Sequence, residues 1–368
     1  MSKKCERACA KRTSIGGQAL IEGIMMRGPK KSAMAVRNPE GEIVLEKWDT
    51  QSKELPKIAK LPIVRGVVNF VLAMASGYKC LMRSAEIAGL EDALEEVEAE
   101  KELSEKQKKK AEKKAQRAKK KGKTEESRAD KKQGESALMA VVMIVASVLS
   151  VILSVGLFIM LPTFLYGWLS QWLPFLKPEN RVLHSLSKSV FEGVLKIVIL
   201  VGYMALVSLM KDIRRTFQYH GAEHKTIFCY EHNMALTVEN VRREGRFHPR
   251  CGTSFLVLML LVGMFVSFLI DPLFILTTGE APVTWLRALL KLATFPITMG
   301  FGYEVLKLAG KHDNLFTRIV SAPGLWLQRV TVLEPTDDMI ECAILAFVEV
   351  IPEEEKGAEE TAPEHTKE

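Results

Sequence analysis

Residues 220–254 hold the side chains best suited to chemistry, His220-Gly-Ala-Glu223-His224 followed by His248-Pro-Arg-Cys251. On a helix, positions four apart project from one face one turn apart, so His220 and His224 form a pair. Glu223 stands beside them. The string His-x-x-Glu-His has the spacing of the inverted zinc-protease motif, in which the histidines hold the metal and the glutamate activates water. His248 and Cys251 add an imidazole and a thiol where the next apolar segment begins, and a thiol at a helix N-terminus is favoured as the thiolate that ligates metal. Four soft or borderline ligands of this kind suit zinc or a similar divalent ion. Glu223 is then the candidate general base. The plainer alternative is a polar interfacial loop whose histidines hydrogen-bond to neighbouring helix ends.

What must position these residues is a set of apolar helices. The chain has 368 residues, 48 % of them hydrophobic, and the apolar ones are clumped. Residues 137–165 carry no charge, and about twenty apolar residues suffice to cross a bilayer. Residues 254–270 with Pro272 to Leu276 give a second span, interrupted only by Asp271. Two weaker spans are 190–210, with Glu192 and Lys196, and 285–306, with Arg287, Lys291 and Glu304. Basic residues then set the orientation. Fourteen Lys/Arg fall in 106–132 and eight in 211–250, against three in 162–189 and none in 271–284. The alternation predicts a mainly α membrane protein of the cell membrane with about four transmembrane helices. Both termini and the His/Cys loop lie on the cytoplasmic side. No proline follows Met210, so the second span is expected to run straight on and to place His220 roughly 15 Å beyond it, at the headgroups. Thr253 or Ser254 is the expected N-cap of the third.

The remaining segments differ in character. Residues 1–12 are a polar tail without the apolar core of a signal peptide. The six cysteines are scattered and mostly cytoplasmic on this topology, so disulfides are not expected, and Cys5 and Cys9 belong to the tail. Residues 13–60 form a small β-rich unit. Its glycines at 16, 17, 23 and 28 break any helix, and Ala33–Val36, the turn Asn38-Pro-Glu-Gly41 and Ile43–Trp48 read as a hairpin. Gly16-Gly17-Gln18 matches neither a P-loop nor a dinucleotide fingerprint, so these glycines are taken as structural. Glu22 and Arg27 are the only charges in 14–29 and stand as candidate site partners.

Residues 61–90 hold an apolar run too short for a span, which predicts an interfacial or partly inserted helix. The lysine-rich linker 91–135 has almost nothing to bury. It lacks the interleaved aromatics of a base-stacking surface, so membrane lipid rather than specific nucleic acid is its expected partner. The four-helix region is 136–310, with the His/Cys loop at 211–253. Arg250 beside Cys251 is a supporting candidate. Glu304, an acid near a span's cytoplasmic end, is a candidate ligand or base, or else the partner of an interfacial arginine. Residues 311–350 give an interfacial segment with Trp326 at headgroup depth and an amphipathic helix capped by Thr336. An acidic tail, 351–368, closes the chain.

Five stretches together resemble the YqhQ family of bacterial integral membrane proteins, which carry a domain of unknown function. They are Gly16–Pro29, Tyr219–Lys225, His248–Thr253, Tyr303-Glu304 and Pro323–Gln328. The resemblance covers nearly the whole chain apart from 91–135 and the tail. It implies a metal-dependent enzyme, as members have been described, without implying a substrate. Two functions follow. One is a metal-dependent membrane hydrolase, with His220 and His224 holding zinc, Cys251 or His248 completing the site, and a lipid-linked, membrane-protein or peptide substrate. The other is a non-enzymatic membrane scaffold or assembly factor with a structural His/Cys loop and basic segments on lipid or ribosomal RNA. Ligand number separates them: a closed four-ligand shell favours the scaffold, three ligands and an open position the enzyme.

Overall fold

Short apolar runs separated by turn residues make the N-terminal segment a sheet whose two faces are both covered. In the computed structural model, which describes residues 12–50, 56–90, 145–176, 178–311 and 314–352, strands β1 (Gly16–Leu20), β2 (Gly23–Arg27), β3 (Lys31–Arg37) and β4 (Ile43–Asp49) pair antiparallel in the order β1-β2-β3-β4. The tail before Arg12, the linker 91–135, the start of the first expected span and the acidic tail from Glu353 lie outside the described residues. The register opposes Ile24 to Ala35 and Met26 to Ala33, so these four share one face. That face packs on Tyr219, Ala222, Met339, Ala343 and Phe347. The other face, with Leu20, Met25, Met34 and Val36, packs on Cys80, Leu81 and Ile87. Burial on both sides explains why β2 reads as a continuous apolar run rather than an alternating one. The hairpin expected between Ala33 and Trp48 is β3–β4, closed by the Gly41 N–H donating to the Asn38 carbonyl at 3.0 Å.

The rest is mostly helical. In chain order the helices are α1 (Val64–Ile87), α2 (Val145–Trp172), α3 (Arg181–Val207), α4 (Lys211–Glu231), α5 (Val238–Arg243), α6 (Gly252–Thr278), α7 (Thr284–Lys311), α8 (Leu315–Thr331) and α9 (Asp337–Val350). Two compact units result, residues 90–177, which contain α2, and the remainder. Among the described residues three helices, α2, α3 and α6, are long and apolar enough to cross a membrane. Their outward residues are apolar and exposed, among them Val148 and Ile152 on α2, Val194 and Val198 on α3, and Phe265 and Leu269 on α6. Water does not favour such surfaces, whereas hydrocarbon does. Helix α7 is 28 residues long but carries Arg287, Lys291, Glu304 and Lys307, which lower its hydropathy.

The second apolar helix does not continue straight. It ends at Val207, Met210 is extended, and α4 starts at Lys211. The physical reason is a change of partner. Helix α3 turns apolar residues outward, whereas α4 buries most of Tyr219–Glu231 against the sheet and α9. His220 is therefore placed by the packing of α4, not by a continuation of α3.

Helices α1 and α7 approach closely where glycines face each other's backbone. A Cβ at Gly66 would lie 2.8 Å from Tyr303 Cβ, and one at Gly300 would strike the Ile63 carbonyl. Arg65 and Glu304 pair beside this crossing, and Asn69 Nδ2 donates to Tyr303 Oη at 3.0 Å. Gly300→Ala is therefore expected to cost about 1–3 kcal/mol by overpacking, read as a lower thermal midpoint in detergent. Gly202→Ala, whose Cβ would meet nothing within 4 Å, serves as the control. Equal midpoints for the two variants would contradict the close crossing.

Candidate metal centre

The site is built from the backbone bonds that orient two imidazoles. Tyr219 and Ala222 seat α4 on the sheet and α9, which turns His220, Glu223 and His224 inward. His220 Nδ1 lies 3.0 Å from the Thr331 carbonyl, and His224 Nδ1 lies 2.6 Å from the Arg246 carbonyl. A carbonyl oxygen only accepts, so each Nδ1 carries the hydrogen and each Nε2 presents a lone pair. His220 Nε2 is 3.1 Å from Cys251 Sγ, while His224 Nε2 is buried without a hydrogen-bond partner among the described residues. Ligand atoms of His220, His224 and Cys251 lie within 4.8 Å of one another, and all three residues are buried. Histidines held at Nδ1 by carbonyls and converging through Nε2 are how metal-ligating imidazoles are oriented. A divalent cation fits this donor set, because it would satisfy the one imidazole lone pair that burial leaves unpaired.

Burial pushes His224 below the ordinary imidazole range, an effect only partly offset by the Cys251 thiol beside it. The ring is therefore neutral near pH 7, the form that ligates. Burial likewise pushes the Glu223 carboxyl up, with His220 and a hydrogen bond from Gly17 pulling back only in part. The Gly17 N–H donates to Glu223 Oε1 at 2.9 Å, and a Cβ on Gly17 would come within 3.0 Å of Glu223 Cδ. Gly221 has a similar role on the other side. A Cβ there would strike the Leu333 carbonyl, so glycine lets the chain after α8 cross α4 and bring the Thr331 carbonyl to His220.

Cys251, rather than Thr253 or Ser254, caps α6. Its Sγ accepts from the Thr253 N–H at 3.4 Å, and the helix begins one residue on, at Gly252. His248 stands apart from the converging atoms. Its Nδ1 accepts from the Arg250 N–H at 3.3 Å, and its Nε2 faces Glu231 Oε2 at 3.9 Å. Gln328 fixes His248 by both backbone groups, accepting from its N–H at 2.9 Å and donating to its carbonyl at 2.8 Å. Glu231 is fully buried, accepts from the Thr13 N–H at 2.8 Å, and pairs with Arg250.

Of the residues singled out in the sequence, the fold brings together His220, His224 and Cys251, with Glu223 one helical step away and His248 and Arg250 behind them. It does not bring the others in. Glu22 pairs with Arg215. Arg27 is exposed and lines a groove of about 490 Å³ with Gly16, Gly17 and Gln18. Glu304 is bound to Arg65 between α1 and α7. The supports that escaped notice are Gln328, Glu231, the Gly17 N–H and two backbone carbonyls. A buried glutamine in the otherwise apolar Leu-Trp-Leu-Gln turn was the one visible signal.

The family described as "Protein of unknown function (DUF1385)" matches residues 61–353. The chain belongs to this family. A relative in Bacillus subtilis (strain 168), "Uncharacterized protein YqhQ", is 33 % identical over 358 residues, covering 96 % of each chain and so the N-terminal sheet as well. No solved structure matches.

One outcome follows from Glu231. Burial pushes its carboxyl up, but the facing His248 imidazole, the Arg250 guanidinium and the Thr13 N–H outweigh that and hold it at about 2. A folded value below the unfolded one means that the stabilisation is complete above about pH 5 and is lost as pH falls from about 4.5 toward 2. At about 1.4 kcal/mol per unit this amounts to roughly 3–4 kcal/mol. Thermal unfolding across that window should fall steeply for the native chain and more shallowly for Glu231→Gln. Parallel pH profiles would refute the assignment.

Proposed function

We propose that this chain is a multi-pass membrane protein with a metal-dependent hydrolytic site at the cytoplasmic membrane face. In this reading α2, α3, α6 and α7 are the four spans, α1 lies at the interface, and both termini are cytoplasmic. The basic stretch 211–250 and the segment 271–284, which holds no Lys or Arg, support that orientation. The observation that carries the hydrolase reading is the convergence of His220 Nε2, His224 Nε2 and Cys251 Sγ, three ligands with His248 held away by Gln328. A two-histidine, one-thiolate set suits zinc and leaves a coordination position for water or substrate. When bound, the ion supplies the charge that polarises water and the scissile carbonyl or phosphoryl group. Glu223, kept protonatable by burial and aimed by the Gly17 N–H, is the base that takes the proton from water and returns it to the leaving group. A membrane-protein, peptide or lipid-linked substrate suits a site at the headgroups.

Burial of all three ligands is the observation that favours the runner-up, a scaffold with a structural metal knot. Two variants separate the readings. Purified protein should hold about one zinc per chain, and the His220→Ala/His224→Ala double variant none. Glu223→Gln should keep the metal and lose turnover on ester or peptide substrates by at least about a hundredfold. Native protein with no more metal than the double variant after reloading would end the metal reading. Full turnover in Glu223→Gln would end the assigned mechanism.

A further inference from the structure

A second set of buried charges lies away from the histidines, between α3, α6 and α7. Arg287 donates to Glu192 Oε1 at 2.7 Å, to Asp271 Oδ2 at 2.7 Å and to Ser189 Oγ at 3.0 Å. Lys291 reaches Glu192 Oε2 at 3.3 Å. Lys188 and Lys196 lie within electrostatic range of this group. Four cations set against two carboxylates leave an excess of two positive charges. The excess has a location. Arg287 engages both carboxylates, while neither Lys188 nor Lys196 has a hydrogen-bond or ion-pair partner among the described residues, and of these two Lys196 faces a cavity. Lys196 and Lys291 line a cavity of about 210 Å³.

That cavity has two characters. Its lining combines the polar Lys196, Lys291, Ser189 and Glu192 with the apolar Met259, Leu260, Met264 and Phe295. The helices around it turn Val194, Phe265 and Leu292 outward, so it sits inside an apolar bundle. Unbalanced charge in such a setting is costly and calls for a counter-ion. A halide would neutralise the charge but leave the apolar wall unused. A phosphate oxyanion attached to an apolar or glyceryl group meets both.

We propose that the cavity between α3, α6 and α7 binds a phosphate-bearing ligand, its oxyanion between Lys196 and Lys291 and its less polar part against Met259, Met264 and Phe295. The assignment needs α3 and α6 to span the membrane and is independent of the metal centre. The ligand is either the headgroup of an anionic phospholipid or a soluble phosphate ester, and the experiment distinguishes them. Full-length protein released from nanodiscs of phosphatidylglycerol or of phosphatidylcholine is weighed by native mass spectrometry, and glycerol 3-phosphate is titrated separately onto delipidated protein.

Retention of phosphatidylglycerol over phosphatidylcholine, at least about tenfold weaker in Lys196→Glu, would establish the site with a lipid source. Glycerol 3-phosphate binding that is lost in Lys196→Glu would establish it with a soluble source. Lys196→Arg keeps the charge and should bind as the native chain does. Since Lys196 holds no ion pair, neither variant removes a structural contact of that kind, and the unfolding midpoint checks this. Binding in neither arm, or binding unchanged in a folded Lys196→Glu, would overturn the proposal.

Discussion

Helix α4 carries His220, Glu223, His224, Lys225, Thr226 and Glu231 into the interior, and desolvating six polar side chains dictates what surrounds them. An unsatisfied buried donor or acceptor costs about 1–3 kcal/mol, which a marginally stable fold cannot absorb six times. Each therefore receives a partner, and the partners come from far apart in the chain. Thr331 serves His220, Gly17 serves Glu223, Arg246 serves His224, Arg242 serves Lys225, and Thr13 with Arg250 serves Glu231. Thr226 bonds back to Ala222. Two buried acceptors in this helix have no hydrogen-bond partner among the described residues, Glu231 Oε2, which faces His248, and His224 Nε2, which faces Cys251 and His220.

This requirement ties the sheet to the apolar helices. The N-terminal strand must lie along α4 for Gly17 to reach Glu223, and α8 must lie along α6 for Gln328 and Thr331 to reach His248 and His220. Residues 13–17, 220–251 and 328–333 thus meet at one place, and the two glycines at the contact, Gly17 and Gly221, are where a side chain would keep them apart. A site at the junction of a four-stranded sheet and a bundle of apolar helices is held from both sides. Its geometry is set by whichever backbone passes nearest.

That explains what the sequence could and could not disclose. His220, His224 and Cys251 were legible because ligation needs particular side chains, and two of them are at helical spacing. The β3–β4 hairpin was legible from a Pro-Gly turn between apolar stretches, and α2, α3 and α6 from uncharged or nearly uncharged length. The orienting groups were not, because every residue has a carbonyl and nothing in Thr331 or Arg246 distinguishes theirs. The break at 208–210 contains no glycine or proline. It arises from the different burial of the two helices it joins, which local propensity does not encode. His248 has the right chemistry for a ligand and is drawn off by Gln328, eighty residues away. The ion network of α3, α6 and α7 was visible only as charges weakening two spans, since Arg287 meets Glu192 across 95 positions.

The same chain thus meets the cost of buried polarity in two ways. In α4 most groups are hydrogen-bonded by backbone, which is rigid and cannot be titrated away, so what is left over is confined to Glu231 Oε2 and the converging ligand atoms. In the bundle the compensation is ionic and incomplete, because two carboxylates cannot balance four cations and no backbone carbonyl carries a full charge. An unpaired lone pair asks for a cation or a proton, and an unpaired ammonium asks for an anion. Groups that are fully matched hold the fold in one arrangement. Two of the unmatched ones, His224 Nε2 beside the thiol of Cys251 and Lys196 beside a cavity, are where stability alone gives no reason for the residue and binding does.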